Sequence, residues 1–209
     1  MRTGEWPAGK ILLRDTALAL FAERGVDAVS VRDVASAAGV SPGLIVHHFG
    51  TKQALREAVD DHVTEVLEVL LRAAEEEFAG AGSAAEPSGD MAAGFAAHLL
   101  EHLPSGSPVV DYMRRMLMSG AAGTPLFRRW FDVTLAAVRR WTDAGFLREQ
   151  PDPPVVAAFL LVNDLAVFLL RDQLAQVLGQ DPMGPEGMRR WSAVVLSTYA
   201  TGLLAVPDG

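Results

Sequence analysis

Apolar positions recur every three or four residues along most of the chain, which is the spacing of one face of an α-helix. Near the N-terminus this spacing is shared by Leu13, Ala17, Leu20 and Phe21. Gly25 then ends the first helix as a C-cap. The sequence has no run of alternating β-branched residues and no Asn-Gly or Asp-Gly hairpin turn. The pattern therefore predicts an all-α protein.

Hydroxyl, proline and glycine residues mark the predicted helix ends. Ser30, with Asp33 three positions later, is typical of an N-cap at the start of a short helix. Ser41 is the expected cap of the next helix, with Pro42 at its first position, where a missing N–H is tolerated. Thr51 is the expected cap of a long helix. The predicted helices are 11–24, 30–38, 42–49, 51–78, 90–103, 107–121, 125–144, 153–178 and 185–205, with a linker at 79–90.

The first three of these helices have the arrangement of a helix-turn-helix. In the turn, Ala35 allows close helix approach, Gly39 permits a positive φ and Val40 fills the space between the helices. In this motif the last helix enters the major groove of DNA while the preceding helix crosses the backbone. The pattern predicts a DNA-binding domain over residues 1–56, with Val40, Phe49 and Leu55 in its core. A helical domain over residues 57–209 would follow.

The distribution of charge agrees with DNA binding at one end of the molecule. The 209 residues carry a net charge of −8. Residues 1–56 nevertheless hold seven basic and five acidic side chains, whereas residues 57–209 hold 11 basic and 21 acidic ones. His47 and His48 add positive charge to the first part when protonated. A mildly basic head on an acidic body fits a protein that touches phosphate with one end only.

The stretch from Ile11 to Leu55 resembles the DNA-binding domain of TetR-type transcriptional regulators, in order and spacing and without a gap. The matching residues are Ala17, Leu20, Phe21, Gly25, Val31, Val34, Ala35, Ala38, Gly39, Val40, Ser41, Gly43, His48, Phe49, Lys52 and Leu55. The resemblance implies a dimer that binds a DNA operator through the recognition helix 42–49. It also implies that the remaining, divergent region binds a small-molecule effector.

The resemblance assigns DNA contact to a set of N-terminal residues. The set consists of Arg32, Ser41, Pro42, Gly43, Leu44, His47, His48, Thr51 and Lys52. Within this set, Lys52 matches the family's phosphate-contacting lysine, and nearby backbone N–H groups add to that attraction. Val46 departs from the family, which often has tyrosine here, so base reading would fall to Arg32, His47 and Leu44. For His48, half-buried packing is the alternative to base reading.

Two C-terminal helices are candidates for a dimer interface. Residues 155–178 are apolar on nearly all sides, so every face of that helix must be covered, and a second copy of the chain would cover one of them. The last helix has apolar residues at helical spacing and would complete the interface. The candidate interface residues are Phe159, Val162, Ala166, Leu170, Trp191, Val195 and Tyr199. The alternative is that these two helices form the core of a monomer.

The middle helices are rich in methionine and aromatic residues, which favours an apolar effector pocket with a few polar groups. The candidate pocket residues are His98, His102, Tyr112, Met113, Met116, Phe127, Trp130, Phe131, Asn163 and Phe168. The alternative is that they form an ordinary core. His98 and His102 stand four residues apart on one helix face, but no third metal ligand is identified. Neither a metal nor another cofactor is expected.

These observations favour a DNA-binding transcriptional regulator, most simply a repressor that is released by a small hydrophobic effector. An enzyme is not expected, because the sequence has no Gly-rich phosphate loop, no serine nucleophile elbow, no paired carboxylates in a plausible cleft and no cysteine. The alternative is a helical interaction or ligand-binding protein that no longer binds DNA. The chain has no secretory signal and no apolar run that spans a bilayer, so a cytoplasmic protein without a membrane partner is expected.

Overall fold

The computed structural model describes residues 6–81, 89–104 and 106–202. The regular elements in these ranges are helices, which confirms the all-α prediction. They are α1 (Trp6–Arg24), α2 (Val31–Ala37), α3 (Pro42–Phe49), α4 (Lys52–Ala81), α5 (Gly89–His102), α6 (Pro108–Met118), α7 (Thr124–Asp143), α8 (Pro153–Leu169), α9 (Arg171–Leu178) and α10 (Pro185–Gly202), with a short 3₁₀ turn at Gly120–Gly123.

The helix ends near the N-terminus follow from local side-chain chemistry. The backbone N–H of Asp33 donates to Ser30 Oγ at 3.2 Å, and the backbone N–H of Ser30 donates to Asp33 Oδ2 at 2.7 Å. This capping box starts α2 as predicted. Gly39 has a φ of +69° in the turn before α3, the positive value that the sequence predicts.

The chain divides into two compact units. The first unit holds residues 1–65 and 106–126, and the second holds residues 66–105 and 127–209. The predicted division of function at residue 56 stays a prediction.

The core of the first unit joins the N-terminal helices to α6. Its fully buried side chains include Phe21 of α1, Ile45 of α3, Leu55 of α4 and Tyr112 of α6. The rings of Phe21 and Tyr112 lie 6.5 Å apart between centroids. Leu55 therefore lies in the core as predicted, whereas Val40 and Phe49 are only half-buried.

The core of the second unit is formed by the C-terminal part of α4 with α7 and α8. Leu71, Val138, Trp141 and Leu160 are buried together, and Tyr199 of α10 packs against this cluster. A core of this kind holds the exposed faces of the helices in fixed positions.

The prediction of a single helix over residues 153–178 is wrong, because these residues form two helices. α8 ends at Leu169 and α9 begins at Arg171, with a bend of 73° between them. No glycine or proline marks this break. α9 is polar where α8 is apolar, and its first residue is held by two hydrogen bonds from the Arg171 guanidinium to Asp181, at 2.9 and 2.6 Å. No single described helix is long and apolar enough to cross a membrane; only the bent pair α8 and α9 reaches that length and composition.

The limits of other predicted segments also differ. α1 begins at Trp6, five residues before the predicted start, and residues 203–205 of the last predicted helix lie outside the described residues. Residues 79–81 of the predicted linker continue α4, and residues 89–90 begin α5. The remainder, 82–88, lies outside the described residues. α6 ends at Met118, three residues before the predicted end.

Candidate nucleic-acid interface

α3 buries one side chain and presents most of the others to solvent. Ile45 is 1% exposed and fixes the helix to the core of the first unit. Pro42, Gly43 and His47 are exposed, and Val46 is 54% exposed. The structure therefore brings these residues to one accessible surface, which is the surface that a recognition helix presents to the major groove.

The C-terminal turn of α3 is held by ring contacts. The His48 ring lies 5.5 Å from the His47 ring and 6.4 Å from the Phe49 ring, between centroids and in edge-on geometry. Lys10 Nζ of α1 lies 5.6 Å from the centroid of the Phe49 ring, within range of a cation–π interaction. His48 is half-buried, as a packing residue would be, whereas His47 is exposed.

Basic and hydroxyl side chains flank α3 on the neighbouring elements. Arg32 is exposed on α2. Lys52 Nζ, at the first position of α4, lies 3.5 Å from the carbonyl oxygen of Asp27. Thr51 Oγ1 accepts a hydrogen bond from the Ala54 N–H at 3.0 Å, so Thr51 caps α4 as predicted.

Ser41 and Gly43, at the start of α3, are both exposed. Ser41 is the N-cap residue of α3 as predicted, but its exposed hydroxyl makes no cap hydrogen bond; only its carbonyl accepts, from the Leu44 N–H at 3.0 Å. A Cβ added to Gly43 would meet only Ser41 Oγ, at an ordinary 3.9 Å. The fold of the chain therefore leaves room for a side chain at residue 43, and the predicted DNA contact of Gly43 stays a prediction.

α6 is attached to α1 and α4 by buried and surface hydrogen bonds that no local sequence signal indicates. The Tyr112 hydroxyl donates to Asp60 Oδ1 of α4 at 2.6 Å, and Arg56 Nε lies 3.6 Å from Asp60 Oδ2. Burial, followed by the nearby Asp60 carboxylate, raises the pKa of Tyr112 well above its usual value. The Arg115 guanidinium donates to the carbonyl oxygens of Ala22 and Glu23 at 3.0 and 2.8 Å.

The two hydrogen bonds from Arg115 fix the C-terminal turn of α1, where a cation also interacts favourably with the helix dipole. The only sequence signal for the buried cluster is the spacing of Arg56 and Asp60, four residues apart on one helix. Nothing local indicates that Tyr112 reaches the same place.

The ten candidate pocket residues are not all in one part of the molecule. Tyr112, Met113 and Met116 are buried on α6 in the first unit. The other seven lie in the second unit, where Trp130 and Phe168 are buried. Their role in an effector pocket stays a prediction.

The polar members of this set have partners within the chain. His102 Nδ1 lies 2.9 Å from the carbonyl oxygen of His98, and His98 Nε2 lies 3.7 Å from Glu77 Oε1. Asn163 Nδ2 donates to the Tyr199 hydroxyl at 2.8 Å. In the described ranges no group of three or more histidine, cysteine, aspartate or glutamate residues is arranged to hold a metal ion.

The candidate dimer residues on α8 form an exposed apolar stripe. Phe159 is 57% exposed, Val162 is 55% exposed and Leu170, directly after the helix, is 48% exposed. Ala166 lies between them and is half-buried. The candidates on α10, which are Trp191, Val195 and Tyr199, are also half-buried.

The fold and this surface define a helix-turn-helix DNA-binding protein with an additional helical unit. Residues 13–59 match the family model described as bacterial regulatory proteins, tetR family, and residues 105–205 match the tetracyclin repressor-like C-terminal domain. The chain is 31% identical to the HTH-type transcriptional regulatory protein RaaS of Mycobacterium tuberculosis over 163 residues, which is 78% of this chain and 70% of that protein. The protein belongs to the TetR family of DNA-binding transcriptional regulators.

Two further relatives are similar over different parts of the chain. The HTH-type transcriptional repressor KstR2 of Rhodococcus jostii is 47% identical over 47 residues, 22% of this chain and 23% of that protein. The solved structure of Salmonella enterica GusR has a TM-score of 0.64 at 19% identity and covers 94% of this chain and 95% of its own. The similarity to GusR shows the fold alone.

Proposed function

We propose that the protein is a repressor that binds operator DNA as a homodimer and releases it when a small, hydrophobic effector binds. The observation that carries this proposal is the surface of α3, where His47 and Val46 are exposed beside Arg32 and Lys52. Several relatives, including KstR2, are named as repressors. Their names support repression rather than activation.

Within the proposed interface, base contacts and phosphate contacts fall to different residues. His47 and Arg32 carry donors for base edges, whereas Leu44 and Val46 offer apolar contacts, for example to a thymine methyl group. Lys52 and the Ser41 hydroxyl are suited to phosphate. Gly43 allows close approach of α3 to the duplex.

The proposed homodimer rests on the exposed stripe of α8. Phe159 and Val162 are more than half exposed in the single chain, and large apolar side chains grouped on one helix face are typical of an interface. Two heads spaced by about 34–36 Å read two half-sites one helical turn apart. A dimer thereby reaches a specificity that one small head does not.

Effector release requires that effector binding be coupled to the DNA-binding helices, and α6 is the candidate element for this coupling. Its neighbours along the chain, α5 and most of α7, lie in the second unit, whereas α6 packs in the first. Arg115 and Tyr112 tie α6 to α1 and α4. An effector that prefers one position of α6 would therefore change the population of DNA-competent heads.

The test is binding to the intergenic DNA that flanks the protein's own gene, at two salt concentrations. We expect specific binding by the wild type and loss of binding by the Arg32→Ala, Lys52→Ala double variant. An Arg139→Ala, Arg148→Ala variant is the matched control, because it removes two exposed arginines from the second unit. Equal binding by both double variants would contradict the proposed interface.

A further inference from the structure

A groove with a volume of about 640 Å³ lies between α4 and α7 within the second unit. Its residues follow helical spacing on both sides, so one face of each helix forms one wall. The α4 wall consists of Glu68, Leu71, Arg72, Glu75, Glu76 and Ala79, and the α7 wall of Val133, Ala136 and Arg140. The volume lies within the range of about 300–1,000 Å³ that is usual for small-molecule sites. None of the ten candidate pocket residues lines this groove.

The groove combines apolar surface with more negative than positive side chains. Arg72 Nη2 lies 3.4 Å from Glu68 Oε2, and Arg140 Nη2 lies 3.3 Å from Glu75 Oε2. Each arginine is thus matched by one carboxylate of the groove. Glu76 is the third carboxylate, and among the described residues it has no ion-pair or hydrogen-bond partner. The groove therefore keeps one excess negative charge next to an apolar floor that contains Leu71 and Val133.

We infer that this groove binds a small organic cation with an apolar body, such as a hydrophobic amine or onium ion, and that Glu76 compensates its charge. The apolar body would lie over Leu71 and Val133 and gain from leaving water. The positive charge would lie near the exposed Glu76, where one unit charge at about 4 Å is worth about fivefold in affinity at the dielectric of water. The inference that such a cation is the effector rests on the proposed repressor function. The inference that the groove binds such a cation does not.

The probes are tetraphenylphosphonium and tetraphenylborate, which have the same four-ring shape and opposite charge. Binding to the full chain is measured by isothermal titration calorimetry. We expect tetraphenylphosphonium to bind more tightly than tetraphenylborate, and Glu76→Gln to weaken the cation about fivefold. Glu101→Gln, a matched change at an exposed glutamate of α5 outside the groove, should leave the affinity unchanged. Added salt should weaken the cation's binding, because the carboxylate is exposed.

A second variant tests the location independently of charge. Ala136 is exposed on the α7 wall, so Ala136→Phe fills the groove without disturbing a buried position, and we expect it to abolish cation binding. Equal affinities for the two probes, or unchanged cation affinity in Glu76→Gln or Ala136→Phe, would overturn the inference.

Operator binding is measured on the same preparations. If operator binding is normal but the cation does not bind the groove as expected, only the inference about the groove is wrong. If operator binding is absent in the wild type, the proposed function falls regardless of the probes.

Discussion

Replacing Tyr112 by phenylalanine removes one hydroxyl from the middle of the first unit and leaves its ring in place. The Tyr112 side chain is fully buried, and its hydroxyl donates to Asp60 Oδ1 at 2.6 Å. Asp60 is only 5% exposed, so water cannot readily replace the lost donor. The ring of Phe21, 6.5 Å away between centroids, keeps its neighbour.

The size of the effect follows from the charge and burial of Asp60. A hydrogen bond to a charged group contributes about 1.5–3 kcal/mol to stability, and a buried carboxylate that loses a donor costs further desolvation. Arg56, with its Nε 3.6 Å from Asp60 Oδ2, still compensates the charge. We therefore expect Tyr112→Phe to lower the free energy of unfolding by about 2–3 kcal/mol.

The assay is urea unfolding at a fixed protein concentration, because dimerisation shifts apparent stability. Tyr199→Phe is the matched control: its half-buried hydroxyl accepts a hydrogen bond from the neutral Asn163 at 2.8 Å, and we expect a loss below about 1 kcal/mol. A double-mutant cycle with Asp60→Asn should give a coupling energy of about 1–2 kcal/mol. Equal losses for the two tyrosine variants, with no coupling to Asp60, would refute the reasoning.

Ser30→Ala removes the side-chain acceptor at the start of α2, and we expect it to lower the free energy of unfolding by about 1 kcal/mol in the same urea titration. Burial raises the pKa of both Tyr112 and Tyr199, so the folded protein should show little phenolate absorbance at 295 nm as the pH passes 10. The unfolded chain loses these protons first; the free energy of unfolding should therefore be unaffected by them below pH 10 and fall above it, by at most about 1.4 kcal/mol per pH unit for each tyrosine. Val162→Glu, on the exposed stripe of α8, should shift the protein to monomers in sedimentation velocity, whereas Val177→Glu, on exposed α9, should not.

Each of these expectations has a result that contradicts it. Ser36→Ala, at an exposed position of the same helix, should be nearly neutral, so equal losses at Ser30 and Ser36 would remove the capping explanation. Phenolate absorbance that rises near pH 10 in the folded state would contradict the burial of the tyrosines. A Val162→Glu protein that sediments like the wild type would exclude the α8 stripe as the dimer surface.

The N-terminal elements were predictable because their signals are local. The predicted limits of α3, 42–49, agree with the structure, since Pro42 favours a helix start and Gly50 interrupts the helix at its end. The positive φ of Gly39 and the capping box of Ser30 are likewise properties of a few adjacent residues.

Features that depend on distant residues were not predictable in this way. Tyr112 looks like any apolar-face residue of an amphipathic helix, and its partner Asp60 lies 52 positions away. The bend at Leu170 has no glycine or proline, and it is accompanied by the ion pair of Arg171 with Asp181 across the following loop. The groove between α4 and α7 exists only once the two helices pack side by side, so hydrophobic spacing alone indicates neither its volume nor its unpaired glutamate.

The most direct test of the central claim is the salt dependence of operator binding by the wild type and by Lys52→Ala. Neutralised phosphates release counterions, so the logarithm of affinity should fall linearly with the logarithm of salt concentration. If each head uses Lys52 on one phosphate, the magnitude of the slope should decrease by about 0.9 per head in the variant. An identical slope for both proteins would contradict the proposed role of Lys52, and binding that does not respond to salt would contradict the account of α3 and its flanking residues as a DNA interface.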